Sequence, residues 1–375
     1  MIPVCEPYLS GNELKYVTDC VKTNWIGSMG KYIKLFEDSF SKFCDVKYGV
    51  ACSNGTTALH LALATLDIGP GDEVIIPDFT MIATANAIIY TGAKPVLVDS
   101  ELETWNIDTK KIEEKITKKT KAIMPVHTYG HPVDMNPIKR LASKYDLFVV
   151  EDAAEAHGAE YKGKKVGSLG DIGCFSFYSN KVLTTGEGGM IVTNNEKFAE
   201  KAALLRNQAL TKPRFLHYEL GFNYRITNIQ AAIGLAQTER ARELVKARIK
   251  NANLYNDLLK NVSGIGLPPK KDWAKNVYWM YGIVIEDEFG MDAGALREEL
   301  LKKGIDTRSF FIGMHNQPLY HDNKRPNNPD CSGDFANSEY LEKRGLYLPS
   351  SSGLTESQIR EVTDSIKSVQ ENLNG

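Results

Sequence analysis

From Asp72 to Asp152 the chain repeats one pattern, a short apolar run followed by a segment with apolar residues at helical spacing. The runs DEVIIP, PVLVD, AIMPVH and LFVVED read as short buried strands, apolar along their whole length as strands covered on both faces are. MIATANAIIYTG and MNPIKRLASKYD between them read as helices, and TTALHLALATL (56–66) precedes them with the same spacing. Strands separated by helices connect most simply as parallel neighbours. The pattern therefore predicts an α/β fold with a mainly parallel sheet and helices on both faces.

After Asp152 the rhythm changes. CFSFYS and MIVTN are strand-like runs joined by the Gly-rich NKVLTTGEGG, with no helix between them. Residues 228–262 read as one long amphipathic stretch, and SGIGLPPKKD beyond it as a linker. YWMYGIVIED, ALREELLKKG, LYLP and ESQIREVTDSIKSVQENL then form strand, helix, strand and helix of a smaller α/β unit. Two domains are expected: a large one over 1–240 and a small C-terminal one over 241–375, with the long helix at the junction. The run KKIEEKITKKTK reads as a solvated helix face, and Trp273 and Trp279 as packing of the small unit.

Charge narrows the partners. The chain of 375 residues carries 45 Lys+Arg against 47 Asp+Glu, which leaves no basic footprint for a nucleic-acid backbone. Apolar runs such as IMPV and LFVV fall far short of the roughly 18 residues a membrane helix needs. No secretory signal is readable in MIPVCEPYLSGNE, so a cytoplasmic address is expected. Six cysteines lie scattered without a C-x-x-C pair, and histidines do not join them at zinc-ligand spacing. Reduced, mostly buried thiols and no metal site are the expectation.

Three features carry chemistry. Ser53, Asn54, Gly55, Thr56 and Thr57 lie between an apolar run and a helix, where free N–H groups and the helix dipole favour an anion such as phosphate. The plainer reading is a helix N-cap. Asp152 follows LFVV at the carboxyl end of a strand, where α/β folds bind ligands, although it too could cap a helix. Lys181 sits in the loop after CFSFYS among Asn180, Thr184 and Thr185. A lone loop lysine is usually a solvated cation. Taken together, an anion cradle, an acid and an amine in this order match the needs of pyridoxal phosphate: a seat for its phosphate, a partner for its ring nitrogen and a nucleophile for its aldehyde. No G-x-x-x-x-G-K-[ST] or helix-opening G-x-G-x-x-G occurs.

SNGTTALHLAL, GPGDEVIIP, MPVHTYG, VVEDAAEAHGA, GSLGDIGCFSFYSNKVLTTGEGGM and GFNYRITNIQAAIGLAQ closely resemble the sugar aminotransferases of the DegT/DnrJ family, from about Pro3 to Ile366. The resemblance implies the aspartate-aminotransferase-like fold of fold-type-I pyridoxal 5'-phosphate enzymes and a homodimer with shared active sites. It implies transfer of the amino group of glutamate to C4 of a nucleotide-linked 4-keto-6-deoxyhexose, GDP-linked by preference, in lipopolysaccharide O-antigen biosynthesis. A dTDP- or UDP-linked 4-keto or 3-keto sugar is the alternative. A cofactor-binding regulator is the non-enzymatic one, though the chain carries neither a basic patch nor a helix-turn-helix module.

Residue by residue, the resemblance implies that Lys181 holds the cofactor and then moves protons. Asp152 would pair with the ring nitrogen, and Glu155 would lie near the ring. Thr56 and Thr57 would give backbone N–H groups to the phosphate, Ser176 its hydroxyl, and Asn223 would reach it from the neighbouring subunit. His127, Arg225, Arg308 and His315 match positions near the sugar pocket, with Trp25 and Lys31 as further candidates; the plainer readings are hydrogen-bonded structural histidines and surface ion pairs of the arginines. Relatives carry Tyr or Trp over the ring where this chain has Met81, so the stacking group is an open point. Related 3-dehydratases carry His in place of Lys181, so lysine favours transamination.

Overall fold

The computed structural model describes residues 1–322 and 325–374. A seven-stranded sheet runs in the spatial order Tyr48–Cys52, Gly189–Thr193, Ile172–Ser176, Phe148–Asp152, Thr120–Ile123, Glu73–Pro77 and Lys94–Val98. The last five are mutually parallel, while Gly189–Thr193 runs antiparallel to both of its neighbours. The loss of helical rhythm after Asp152 is therefore an antiparallel return. Alternate residues of the strands enter opposite cores: Ala51, Ile75, Val149 and Phe175 join one, and Cys52, Ile76, Val150 and Cys174 the other. Burial on both faces of a period-two strand is why these runs read as continuously apolar.

A four-stranded sheet of Ile265–Gly266, Tyr281–Ile285, Gly345–Leu348 and Arg308–Ser309 forms the C-terminal unit. It packs under Ala241–Leu259, Ala293–Lys302 and Glu356–Asn374 around a third core. The first residues belong with this unit. Ile2 bridges to Ile305, and the Ser350 N–H donates to Val4 O. Strand carboxyl ends at Cys52, Pro77, Ile123, Asp152 and Ser176 open toward the same edge of the large sheet, so residues distant in sequence meet there.

Three sequence expectations need correction. The stretch 228–262 is two helices, Asn228–Glu239 and Ala241–Leu259, broken at Arg240 (φ −107°). Arg240 is fastened to Ser10 and Glu243, contacts a continuous amphipathic pattern does not register. KKIEEKITKKTK is no helix face: it holds a short 3-10 turn, Glu113–Lys115, and the first residues of the strand Thr120–Ile123, with Ile112 fully buried in the core. Trp279 lies at the large sheet's cavity, as described below. The six cysteines are unbonded, four of them buried. No helix among the described residues is long and apolar enough to cross a membrane.

Candidate active site

A cavity of about 540 Å³ lies over those strand ends, lined by Gly55, Thr56, Thr57, Met81, Asp152, Glu155, Ser176, Lys181 and residues around them. One wall is the start of the helix Gly55–Thr65. Asn54 caps it: its side chain accepts the Thr57 N–H at 2.9 Å, and the Thr57 hydroxyl accepts the Asn54 N–H at 3.1 Å. Such a cap stabilises a helix by about 1 kcal/mol, and it has a chemical consequence. The Thr57 N–H is committed to Asn54 and is not free for an anion, which corrects the sequence expectation. The N–H groups of Gly55 and Thr56 remain, since a helix start offers them no internal partner.

Ser176 completes this cradle from the end of its strand. A Cβ on Gly55 would lie 2.6 Å from the Ser176 Cβ, so only glycine lets the hydroxyl and the helix start converge. The Ser176 Oγ accepts a long 3.4 Å bond from the Tyr178 N–H, which leaves its proton free for an acceptor. Two backbone N–H groups at a positive helix end and a hydroxyl fit a phosphate.

Asp152 closes the strand Phe148–Asp152 and is almost fully buried. Thr84 donates its hydroxyl to Oδ2 at 2.8 Å, and the Ala154 N–H donates to Oδ1 at 3.2 Å. Burial raises the carboxyl above its usual range even so. A cationic ring nitrogen opposite it would return the carboxylate form. Glu155 is held by the Tyr129 N–H, which donates to Oε2 at 2.7 Å, and burial pushes its carboxyl up to about 7.

Lys181 follows the strand Ile172–Ser176 on an irregular loop, its backbone N–H donating to Tyr178 O. Its Nζ lies 3.9 Å from Glu155 Oε1, too far for a hydrogen bond. Burial lowers its ammonium below the ordinary lysine range, against the pull of Glu155 and Asp152. An amine whose hold on its proton is weakened is the better nucleophile. Cradle, acid and amine thus surround one space, and the residues present fit pyridoxal phosphate.

Other expected site residues lie elsewhere. His127 is fully buried and does not line the cavity: the Val133 N–H donates to its Nδ1 at 3.1 Å, so its Nε2–H points to Glu151 at 3.0 Å. A histidine with both nitrogens engaged inside the protein is structural, which corrects the substrate-binding expectation. His315 does not line the cavity either: its Nδ1 pairs with Asp78 Oδ2 at 2.7 Å and its ring stacks on Phe335, while its Nε2 has no hydrogen-bond partner. Arg308 is exposed on Asp306, and Arg225 bonds Asn207 Oδ1 at 2.7 Å, both outside the cavity of their own chain. Asn223 is exposed and also outside it. Lys31 pairs with Asp19, and Trp25 is exposed; neither lines the cavity. Met81 does line it and is 47% exposed, whereas Phe79 is buried against Tyr129, Phe310 and Phe311. Phe79 is thus no substitute for a ring-stacking aromatic. Sequence reasoning missed Thr84, Tyr347 and the place of Trp279 at this cavity, because none sits in a motif of its own.

Comparison with known proteins identifies the chain's family. Residues 7–367 match the DegT/DnrJ/EryC1/StrS aminotransferase family. The GDP-perosamine synthase of Caulobacter vibrioides is 46% identical over 98% of both chains, and that of Escherichia coli O157:H7 is 45% identical over 97% of both. Among solved structures, S. venezuelae DesV in complex with a ketimine intermediate superposes with a TM-score of 0.88 at 32% identity, covering 96% of this chain and 94% of that one. With a cavity fitted to the cofactor and a family match along nearly its whole length, the chain belongs to the DegT/DnrJ/EryC1/StrS aminotransferases, enzymes that work with pyridoxal phosphate.

Proposed function

We propose that the enzyme moves the amino group of L-glutamate to C4 of a nucleotide-linked 4-keto-6-deoxyhexose, with GDP-4-keto-6-deoxy-D-mannose as substrate and GDP-perosamine as product. Likeness to two GDP-perosamine synthases along the whole chain carries the choice of substrate. Pyridoxal phosphate, when bound, supplies an aldehyde for an amine and a ring that accepts electrons from the substrate carbon. Lys181 would hold that aldehyde through its Nζ and, as a free amine, would take up and hand on a proton at the sugar carbon. Asp152 keeps the ring nitrogen protonated. Gly55, Thr56 and Ser176 hold the phosphate, and Glu155, fixed by Tyr129, balances the charge of the freed amine.

Charge supports a second copy in the site. Lys181 is the one basic side chain among the described lining residues, against Asp152, Glu155 and Glu187. Glutamate, cofactor phosphate and sugar diphosphate all arrive negative. On this reading Asn223 and Arg225 of a second chain make up the deficit in a homodimer. They lie just beyond an exposed apolar run, where Phe215 is 76%, Tyr218 74% and Leu220 87% exposed. Mixing Lys181→Ala with Arg225→Ala chains, each crippled alone, is expected to restore about a quarter of wild-type turnover, since half the dimers then carry one intact site. No recovery above the two variants separately would refute the shared site.

The reading places the protein in the cytoplasm and in lipopolysaccharide O-antigen biosynthesis. Its decisive experiment offers GDP-, dTDP- and UDP-linked 4-keto and 3-keto sugars side by side with glutamate as donor. The GDP-linked 4-keto sugar should turn over fastest, by tenfold or more, a margin of about 1.4 kcal/mol in transition-state binding. Turnover confined to another nucleotide or to a 3-keto sugar overturns the proposed substrate, and cofactor binding without any amino transfer would favour a regulator.

A further inference from the structure

Trp279 precedes the strand Tyr281–Ile285 of the C-terminal unit, yet its side chain belongs to the cavity of the large sheet. The indole is 4% exposed. Its Nε1–H donates to the carbonyl oxygen of Asn180 at 2.9 Å, and the Nζ of Lys181 lies 3.4 Å from its ring centroid. One side chain thus grips the peptide that leads into the lysine and faces the amine at the lysine's end. The residue is itself anchored: its N–H donates to Tyr129 O at 3.0 Å, and its carbonyl accepts from Arg248 Nη1 at 2.9 Å.

We propose that Trp279 is a positioning residue, whose indole face is the seat on which the Lys181 amine rests as ammonium whenever it is not bonded to the cofactor. The inference rests on Lys181 being the cofactor lysine. An ammonium is attracted to the face of an indole more strongly than to other aromatic rings, and more so away from water, whereas a neutral amine gains little. The other groups around Lys181 do not seat it. Glu155 is beyond hydrogen-bond distance with its other oxygen tied to Tyr129, and Asp152 is occupied by Thr84 and Ala154. The Cys5 thiol points at Asn180 O, and His157 is buried and neutral. Glu187 and Tyr347 line the cavity without a bond to the amine. The ring therefore favours the amine with its proton on, opposing burial. A lysine that must receive a proton and hand it on is kept in place between those two events.

The test needs no turnover. In cofactor-free protein, acylation of Lys181 by acetic anhydride is followed against pH by peptide mass spectrometry for wild type, Trp279→Phe and Trp279→Leu. Only the neutral amine reacts, so the midpoint reports its protonation. In Trp279→Leu, which keeps apolar cover but removes the ring, the midpoint should fall by about one pH unit; in Trp279→Phe it should fall by less. A structural role in packing predicts otherwise: an unchanged midpoint, or one raised toward an ordinary lysine as water enters, and either result overturns the proposal. A Phe variant shifted as far as the Leu variant also overturns it, because the lost bond to Asn180 would then be the cause. Should circular dichroism show Trp279→Leu unfolded, the Phe variant decides alone, a downward shift supporting the seat and no shift overturning it. Both variants should still shift the absorbance of added pyridoxal phosphate to longer wavelength. Failure of the underlying assignment looks different, since it is a Lys181→Ala protein that still produces that shift.

Discussion

Lys181→Ala is expected to give a protein that takes up pyridoxal phosphate without the shift of its absorbance to longer wavelength that a bond to lysine brings, and whose turnover falls by at least about ten-thousandfold. General acid–base catalysis alone contributes about 10²–10⁴-fold, and here the same amine is also the nucleophile toward the cofactor. No other lysine lines the cavity among the described residues, so none can take over. The phosphate cradle is untouched by the substitution. Gly55 and Thr56 keep their N–H groups and Ser176 its hydroxyl, which is why binding should survive while the shift does not. Absorption spectra of dialysed protein with added cofactor separate the two effects, and a glutamate-dependent product assay reads the turnover. A variant that still shifts the cofactor's band, or one within tenfold of wild type, would show that the amine beside Glu155 is not the reacting group.

Asp152 and Lys181 could be read from the sequence because Asp152 closes an apolar run and Lys181 follows another in a Gly-rich loop, and the strands Phe148–Asp152 and Ile172–Ser176 adjoin in the sheet. The parallel core was readable for the same reason, burial on both faces leaving unbroken apolar strings. What the sequence hid depends on distant chain. YGVAC becomes the strand Tyr48–Cys52 only by pairing with Gly189–Thr193. Thr84 meets Asp152, and Trp279 meets Lys181, because separate strands and loops converge on one edge. Nothing local in MIATANAIIYTG or YWMYGIVIED records those meetings. His127 and His315 show the converse. Their residue type suits a sugar pocket, but Glu151 and Asp78 engage them inside the protein, and a hydrogen-bond partner is not visible in composition. Thr57 was misread by the same route, its N–H consumed by the cap of its own helix.

Asp152→Asn should lower kcat on the order of a thousandfold while leaving visible absorbance in place, because Lys181 is retained. The carboxylate is buried, with Thr84 and Ala154 bonding its two oxygens. Those bonds orient it but do not neutralise it, and burial pushes its proton affinity up. A protonated ring nitrogen supplies the missing positive charge, and the ring in turn needs that proton to draw electrons from the substrate carbon. An amide of the same shape keeps the packing and can still meet Thr84, but it cannot hold a proton on the ring. Removing one member of a buried charge pair costs about 3–5 kcal/mol, which at 1.36 kcal/mol per tenfold is about 10²–10⁴ in rate. The loss should fall on kcat, with the KM for glutamate moving less than about tenfold, since the charge matters most as electrons enter the ring. A variant that keeps kcat within tenfold, or that loses glutamate affinity alone, would remove Asp152 from the ring nitrogen and make it only the anchor of Thr84.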